Sequence, residues 1–322
     1  MRSAILLLLL AIPAHAGQPL DVPFVVQKPG YCGPAALAML AGFYGQSVSQ
    51  DDIANAIYLP DIHGTLTADL ANYAKKFNLW TRQYRGTTTD IRQKLAAGVP
   101  VIVLGKFGSK LHFFVVLGFD EFAGTVLVHS DQRAGLVMSQ EQFWRVWDRA
   151  DRWTLLMCPP DKATWKLTGD ECNDLGVFLE HTGNVPAAAG NYRRATELVP
   201  ANSYFQMNLG NALAKQKLFT EAIVAFRRAI QVETTNADAR NNLAWAYSET
   251  GANLDEAAEL CRQALKLQPG RRAYYLDTLG CVLLKQGKAG EAVVAFEQAL
   301  AAATERDKAL RSMVQEHLRL AW

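Results

Sequence analysis

The sequence QKPGYCGP, residues 27–34, runs directly into the apolar stretch AALAMLAGFY, residues 35–44. Ala and Leu are strong helix formers, so this stretch predicts a helix that begins beside Cys32. First-turn N–H groups and the helix dipole can stabilise a thiolate there, and Gly33 lets the backbone bend tightly while leaving the sulfur uncovered. We therefore interpret Cys32 as a nucleophile. The alternative is a half-buried structural cysteine at a helix start.

Three other side chains complete a candidate catalytic set. The side-chain amide of Gln27 can donate to an oxyanion formed beside the sulfur. His112 lies near the start of a predicted strand, residues 111–119, and Asp131 follows its predicted hairpin partner. A hairpin can bring these two side chains together as the general base and the group that orients it. Their simpler alternatives are a satisfied strand-end histidine and a solvated turn acid.

Other residues of the first half give weaker candidates. His63, in a loop, and His129, at a strand end, are lesser choices for the base. No pair of histidines with carboxylates has the spacing of metal ligands, so we predict no metal site and no cofactor. The aromatic residues near the end of this half are expected to form its core rather than a ligand platform; they are Phe143, Trp144, Trp147 and Trp153.

The length of the chain suggests two domains, and its net charge argues against a nucleic-acid partner. The chain has 322 residues and a net charge of only +2. This length favours about two domains, each able to bury a core. The balanced charge argues against a nucleic-acid or anionic-membrane surface as the main partner.

The N-terminus predicts export. Met1 and Arg2 precede an apolar run, residues 5–10, and the sequence AHA at residues 14–16. This order is typical of a secretory signal peptide, residues 1–16, with a retained anchor as the alternative. The mature chain is then expected to begin near Gly17, in an exported compartment that is a bacterial periplasm, with no later membrane span.

Five cysteines fit one free reactive thiol and up to two disulfides in an oxidising compartment. They are Cys32, Cys158, Cys172, Cys261 and Cys281. Since Cys261 and Cys281 fall on helical packing positions, we expect them to be buried small side chains rather than a bridge.

The first half, residues 17–160, predicts helices followed by a mostly antiparallel sheet, an α+β domain. The glutamine separated by four residues from Cys-Gly-Pro, the strand HFFVVL from His112 and the hairpin Asp131 resemble the C39 and C39-like papain-fold cysteine peptidases over residues 19–158. The resemblance implies Cys32 as nucleophile, His112 as general base and acid, Asp131 as orienting acid and Gln27 as oxyanion donor.

The sequence departs from this family in two respects. Family members commonly have Asp-Pro at the third catalytic position, where this chain has Asp131 and Gln132. The best-known members are fused to export ATPases and cut leader peptides after a double glycine. Because this chain has no Walker-type phosphate loop, the leader-peptidase role does not transfer with the fold.

The second half is built from repeats. After a linker at residues 161–168, a similar motif recurs at Tyr192, Phe226, Cys261 and Phe296, with spacings of 34, 35 and 35 residues. This pattern resembles the tetratricopeptide repeat, a helix–turn–helix unit. Four units over residues 169–305 and a capping helix over residues 306–322 predict an all-α solenoid.

Stacked helix pairs of this kind form a groove that commonly binds peptides or extended protein segments. Candidate groove residues are Asn208, Asn211, Lys215, Asn241 and Asn242. The alternative for each of them is an ordinary exposed helix position.

The leading functional hypothesis is an exported cysteine peptidase whose repeat domain binds or positions a protein substrate or partner. One alternative is a catalytically silent peptide-binding or assembly protein on the same scaffold; another is amidase or transpeptidase chemistry at the same thiol. An active Cys32 is expected to react with iodoacetamide well below pH 8.5, roughly the pKa of a free cysteine.

Overall fold

The computed structural model describes residues 18–321, which divide after Lys166 into two compact units. The predicted leader, residues 1–16, lies outside the described residues. Within the described part, no helix combines the length and apolar character needed to cross a bilayer. The predicted fold class, an α+β unit followed by an all-α repeat unit, is confirmed.

The N-terminal unit begins with helices and ends mainly with strands. Its elements are α1 (Cys32–Phe43), α2 (Gln50–Ile57), α3 (Thr67–Ala74), β1 (Trp80–Arg85), α4 (Thr88–Ala96), β2 (Val101–Phe107), β3 (Lys110–Asp120), β4 (Thr125–Ser130), β5 (Arg133–Ser139), α5 (Gln140–Asp148) and β6 (Trp153–Cys158). In the described residues the strands form one antiparallel six-stranded sheet in the order β1-β6-β2-β3-β4-β5.

Helix α1 is the central helix of this unit because every residue from Gly33 to Ala41 is buried. A helix that is apolar all round is stable only inside a core. It packs on β3, where Phe113, Val115 and Leu117 belong to the same apolar cluster as Leu37. This packing brings the start of α1 to the start of β3.

The edge strand β5 is absent from the sequence prediction. Its residues do not alternate clearly between apolar and polar, and it pairs only with β4. The predicted aromatic core is present: Phe143 and Trp147 are buried, Trp144 stacks on Phe119, and Trp153 meets Phe113 edge-on.

The C-terminal unit consists, in its described part, of four helix pairs and a last helix. They are α6 (Gly169–His181), α7 (Val185–Leu198), α8 (Ser203–Lys215), α9 (Phe219–Val232), α10 (Ala237–Thr250), α11 (Leu254–Leu267), α12 (Arg272–Lys285), α13 (Ala289–Ala302) and α14 (Lys308–Leu320).

In the helix pairs, a glycine of the first helix packs against an aromatic ring of the second helix and lets the two helices approach closely. A Cβ on Gly210 would lie 2.4 Å from the Phe226 ring, and one on Gly280 would lie 2.4 Å from the Phe296 ring. Where the third unit has Ala244 instead of glycine, the residue equivalent to the aromatic ring is the smaller Cys261. A larger residue in place of glycine and a smaller one in place of the aromatic ring keep the combined side-chain volume compatible with native packing density.

Candidate active site

Cys32 is the first residue of α1 and is half-buried. The preceding loop turns at Gly30, whose φ is +80° and whose added Cβ would lie 3.1 Å from the His63 carbonyl oxygen and the Tyr58 ring. This position therefore requires glycine for both conformation and space. Gly33, predicted to serve a tight bend, lies inside the helix instead. An added Cβ there would be 3.3 Å from the Phe113 ring, so its role is the close packing of α1 on β3.

The Cys32 thiol faces the peptide that joins His112 to Phe113. Burial raises the pKa of the thiol, while hydrogen bonding from the backbone amides of Phe113 and Gly33 opposes the shift; the carboxylate of Asp131 raises the pKa further. Helix-start amides therefore act in the predicted direction, but burial has the larger effect. Burial therefore favours the thiol over the thiolate, in the opposite direction to the acidic cysteine expected from the sequence.

His112 lies at the start of β3, opposite Gly105 of β2. Its Nε2 is 3.0 Å from the Ser130 hydroxyl oxygen and 3.5 Å from Oδ1 of Asp131. Burial lowers the pKa of the imidazole, and Asp131 opposes this effect. Burial therefore favours the neutral imidazole. Because the Asp131 carboxylate can only accept hydrogen bonds, it favours the tautomer with the proton on Nε2, which leaves Nδ1 to accept a proton.

Asp131 forms the turn between β4 and β5 with a left-handed backbone, φ 53°, which aspartate tolerates better than most residues. Its side chain is 66% exposed, whereas Ser130 is buried. The nearer group on the His112 ring is therefore the serine hydroxyl, which sequence analysis missed. Its one sequence signal is its place next to Asp131, at the end of the strand that pairs with β3.

Gln27 is held beside this turn, since its backbone N–H donates to the Asp131 carbonyl oxygen at 3.2 Å. Gln50 of α2 clamps the same loop: its amide donates to the Val26 carbonyl at 2.8 Å, and its Oε1 accepts from the Lys28 N–H at 3.0 Å. A cavity of about 590 Å³ opens here between the Gln27 loop and the β4–β5 turn. Its wall includes Gln27, Ser130 and Asp131.

The structure thus gathers the predicted residues in two pairings. Asp131 lies beside His112, and its carbonyl oxygen accepts a hydrogen bond from the Gln27 N–H. Cys32 lies against Phe113, the residue that follows His112. Among residues 18–321 no hydrogen bond joins the Cys32 sulfur to the His112 ring. The assignment of these four residues to catalysis stays a prediction.

The lesser histidine candidates have other environments. His129 is buried; its Nε2 donates to the Val22 carbonyl at 2.9 Å, and its Nδ1 accepts from the Gly135 N–H at 3.0 Å. Both nitrogens are therefore engaged by the backbone, and neither is free to act as a base. His63 is exposed in its loop. The five cysteines are all free thiols in the structure, so none of the disulfides that their number allowed is formed.

Alkylation of Cys32 is expected to depend on pH in the direction set by its burial. Because iodoacetamide reacts with the thiolate and the pKa is raised, the rate is expected to climb about tenfold per pH unit through pH 7 to 9 without levelling off. Mass-spectrometric mapping of the modified peptide separates Cys32 from the other thiols, with Cys32→Ala as control. A plateau near pH 6 would instead indicate an ion pair with the imidazolium of His112.

Several predicted groove residues of the repeat unit make polar contacts between the first helices of successive pairs. Asn208 donates to Asn173 at 2.8 Å, and Asn242 donates to Asn211 at 2.9 Å. In addition, Lys215 pairs with Glu180 at 2.6 Å. Asn241 has a buried side-chain oxygen with no hydrogen-bond partner in the described part of the chain.

Comparison with known families agrees with this division of the chain. Residues 19–152 match the Peptidase_C39 like family. Three tetratricopeptide repeat models match residues 179–235, 213–279 and 272–305.

Individual relatives match only in part. Protein O-mannosyl-transferase TMTC3 of Homo sapiens is 26% identical over 181 residues, covering 51% of this chain and 19% of that protein. The STIP1 homolog of Dictyostelium discoideum is 32% identical over 101 residues, covering 30% of this chain and 18% of that protein. The chain thus spans about a fifth of the length of these curated relatives.

Among solved structures, MamA is 26% identical, with a TM-score of 0.39, over 44% of this chain and 75% of that one. The Cut9-Hcn1 hetero-tetramer of the APC/C is 21% identical, with a TM-score of 0.43, over 50% of this chain and 31% of that one.

Proposed function

Because residues 19–152 form a C39-like peptidase domain and residues 179–305 carry tetratricopeptide repeats, we propose that the protein is a cysteine peptidase whose repeat unit binds or positions a protein substrate or partner. The main observation behind the proposal is that the start of α1 lies next to the start of β3. It puts the Cys32 thiol against the His112–Phe113 peptide, while Ser130 and Asp131 hold Nε2 of His112.

The directions of two pKa shifts suit general-base catalysis, because burial raises the pKa of the Cys32 thiol and lowers the pKa of the His112 imidazole. Nδ1 of His112 takes the Cys32 proton as the sulfur attacks the peptide carbonyl, and a tetrahedral oxyanion forms. The Cys32 N–H and the Gln27 amide stabilise this oxyanion. His112 then gives its proton to the leaving amine, which leaves a thioester, and water attacks the thioester with His112 again as base. The products are a carboxylic acid and the free thiol.

The repeat unit supplies the second part of the proposal. Hydrogen bonds between asparagine side chains of consecutive first helices form a polar row. This row supports a groove that takes a protein segment. We also propose that the protein is exported to a bacterial periplasm, on the basis of the N-terminal sequence pattern.

A comparison of N-terminal peptides from exported proteins tests the proposal in the cell. Wild type is expected to generate a set of new N-termini that is missing with Cys32→Ser and kept with the exposed-loop control His63→Ala. The same data also identify the N-terminus of this protein in the cell, which is expected to lie near Gly17. Identical termini in wild type and Cys32→Ser would reject the peptidase assignment.

One observation favours a second candidate, a catalytically silent peptide-binding protein. Among the described residues, no hydrogen bond joins the Cys32 sulfur to the His112 ring, whose Nε2 lies 3.0 Å from the Ser130 hydroxyl oxygen. In that case Cys32→Ser would leave both the termini and partner capture unchanged.

A further inference from the structure

A second cluster of a thiol, an imidazole and a carboxylate lies in the repeat unit, within the described part of the chain. Asp277 and Cys281 are one turn apart on α12, and His317 comes from α14. Nδ1 of His317 is 2.8 Å from Oδ1 of Asp277 and 3.5 Å from Sγ of Cys281. One donor atom from each of the three residues lies within 4.8 Å of the other two.

The surroundings hold these side chains in place. The Asp277 side chain is 7% exposed, and the His317 ring packs on Phe296 with centroids 5.8 Å apart. Leu310 and Val314 of α14 are buried in the same apolar cluster as Leu276 of α12. The donors are therefore preorganised by two packed helices. His317 itself is 30% exposed, which leaves a path for an ion from solvent.

From this geometry we propose that Asp277, Cys281 and His317 bind one divalent metal ion of the zinc class, which fastens α14 to the last repeat. Tetrahedral zinc with bonds of about 2.0 to 2.3 Å places its ligands about 3 to 4 Å apart. Two of the donor separations here are 2.8 and 3.5 Å, and the third lies within 4.8 Å. Sulfur and nitrogen donors select such a metal over Mg²⁺ or Ca²⁺.

Charge balance supports the same class of ion. A carboxylate, a thiolate and a neutral imidazole together carry two negative charges, which a divalent cation neutralises in this partly buried place. Without the ion, Nδ1 of His317 lies within hydrogen-bonding distance of both Asp277 and Cys281. Binding of the ion displaces the proton on Nδ1 of His317 and the thiol proton of Cys281.

Cobalt provides a direct test because a thiolate ligand gives Co²⁺ a near-ultraviolet charge-transfer band. The full chain carrying Cys32→Ser removes the other half-buried thiol and separates this test from the peptidase proposal. We expect one Co²⁺ or Zn²⁺ per chain with this band. Cys281→Ser is expected to lose the band and to weaken Zn²⁺ binding by more than about tenfold.

Two further variants keep the result interpretable. Cys261→Ser, at a buried cysteine near Cys281, is expected to retain the band and the affinity. The nearly isosteric Asp277→Asn is expected to retain the band with weaker binding. Zn²⁺ is also expected to protect α14 amides from hydrogen exchange in the parent protein but not in Cys281→Ser. Absence of the band in the parent protein, or an equal band in Cys281→Ser, would contradict the metal site. Asp277 and His317 would then form only an ion pair.

Discussion

Replacing His112 by alanine is expected to lower kcat/KM for peptide hydrolysis by about a thousandfold or more. In the proposed mechanism this ring both removes the thiol proton and protonates the leaving amine, and general acid–base catalysis contributes up to about 10⁴-fold. The assay follows cleavage of a peptide identified from the cellular N-termini. His63→Ala, in an exposed loop, is the matched control and is expected to change the rate less than about twofold. A rate within tenfold of wild type for His112→Ala would exclude it as the base.

The two groups on Nε2 of His112 should have graded effects in the same assay. Ser130 is buried and lies 3.0 Å away, whereas Asp131 is exposed and lies 3.5 Å away. Ser130→Ala is therefore expected to cost at least as much rate as Asp131→Asn, with a larger effect on kcat than on KM because both groups position the base. A large loss with Asp131→Asn and none with Ser130→Ala would restore the carboxylate as the main orienting group.

Replacing Phe226 by alanine is expected to destabilise the repeat unit by about 3 to 5 kcal/mol. The ring is fully buried and fills the space left by the absent side chain of Gly210. Its removal leaves a cavity between α8 and α9 that rigid helix backbones cannot close. Since 1.4 kcal/mol corresponds to a factor of ten, protection of α8 and α9 amides from hydrogen exchange should fall about a hundredfold or more.

The control for this substitution is on the same helix. Val224 is 66% exposed, so Val224→Ala is expected to change stability by less than about 0.5 kcal/mol. Exchange in the N-terminal unit serves as an internal reference. Equal loss of protection in the two variants would show that the glycine–aromatic contact does not hold the helix pair together.

Local patterns along the chain were enough to predict the classes of both units. The motif that includes Phe226 and Phe296 recurs four times because the same contact is made in each helix pair. Such a repeat can be recognised from a single sequence. The capping box at Ser49, where Ser49 and Asp52 satisfy each other's backbone amides, is also local. By contrast, β5 was missed because an edge strand needs only one partner and little alternation.

What the sequence determined by itself was the order of the helices and strands apart from β5, the repeat register and the residue types available for chemistry, since these depend on neighbours along the chain. Only the tertiary structure decided that Ser130 contacts His112 and that Asp277, separated from His317 by 40 positions, meets it beside Cys281. It also decided that burial, rather than the helix start, governs the Cys32 pKa. The physical reason is that burial and long-range contact depend on how helices and strands pack in space, which periodicity does not specify.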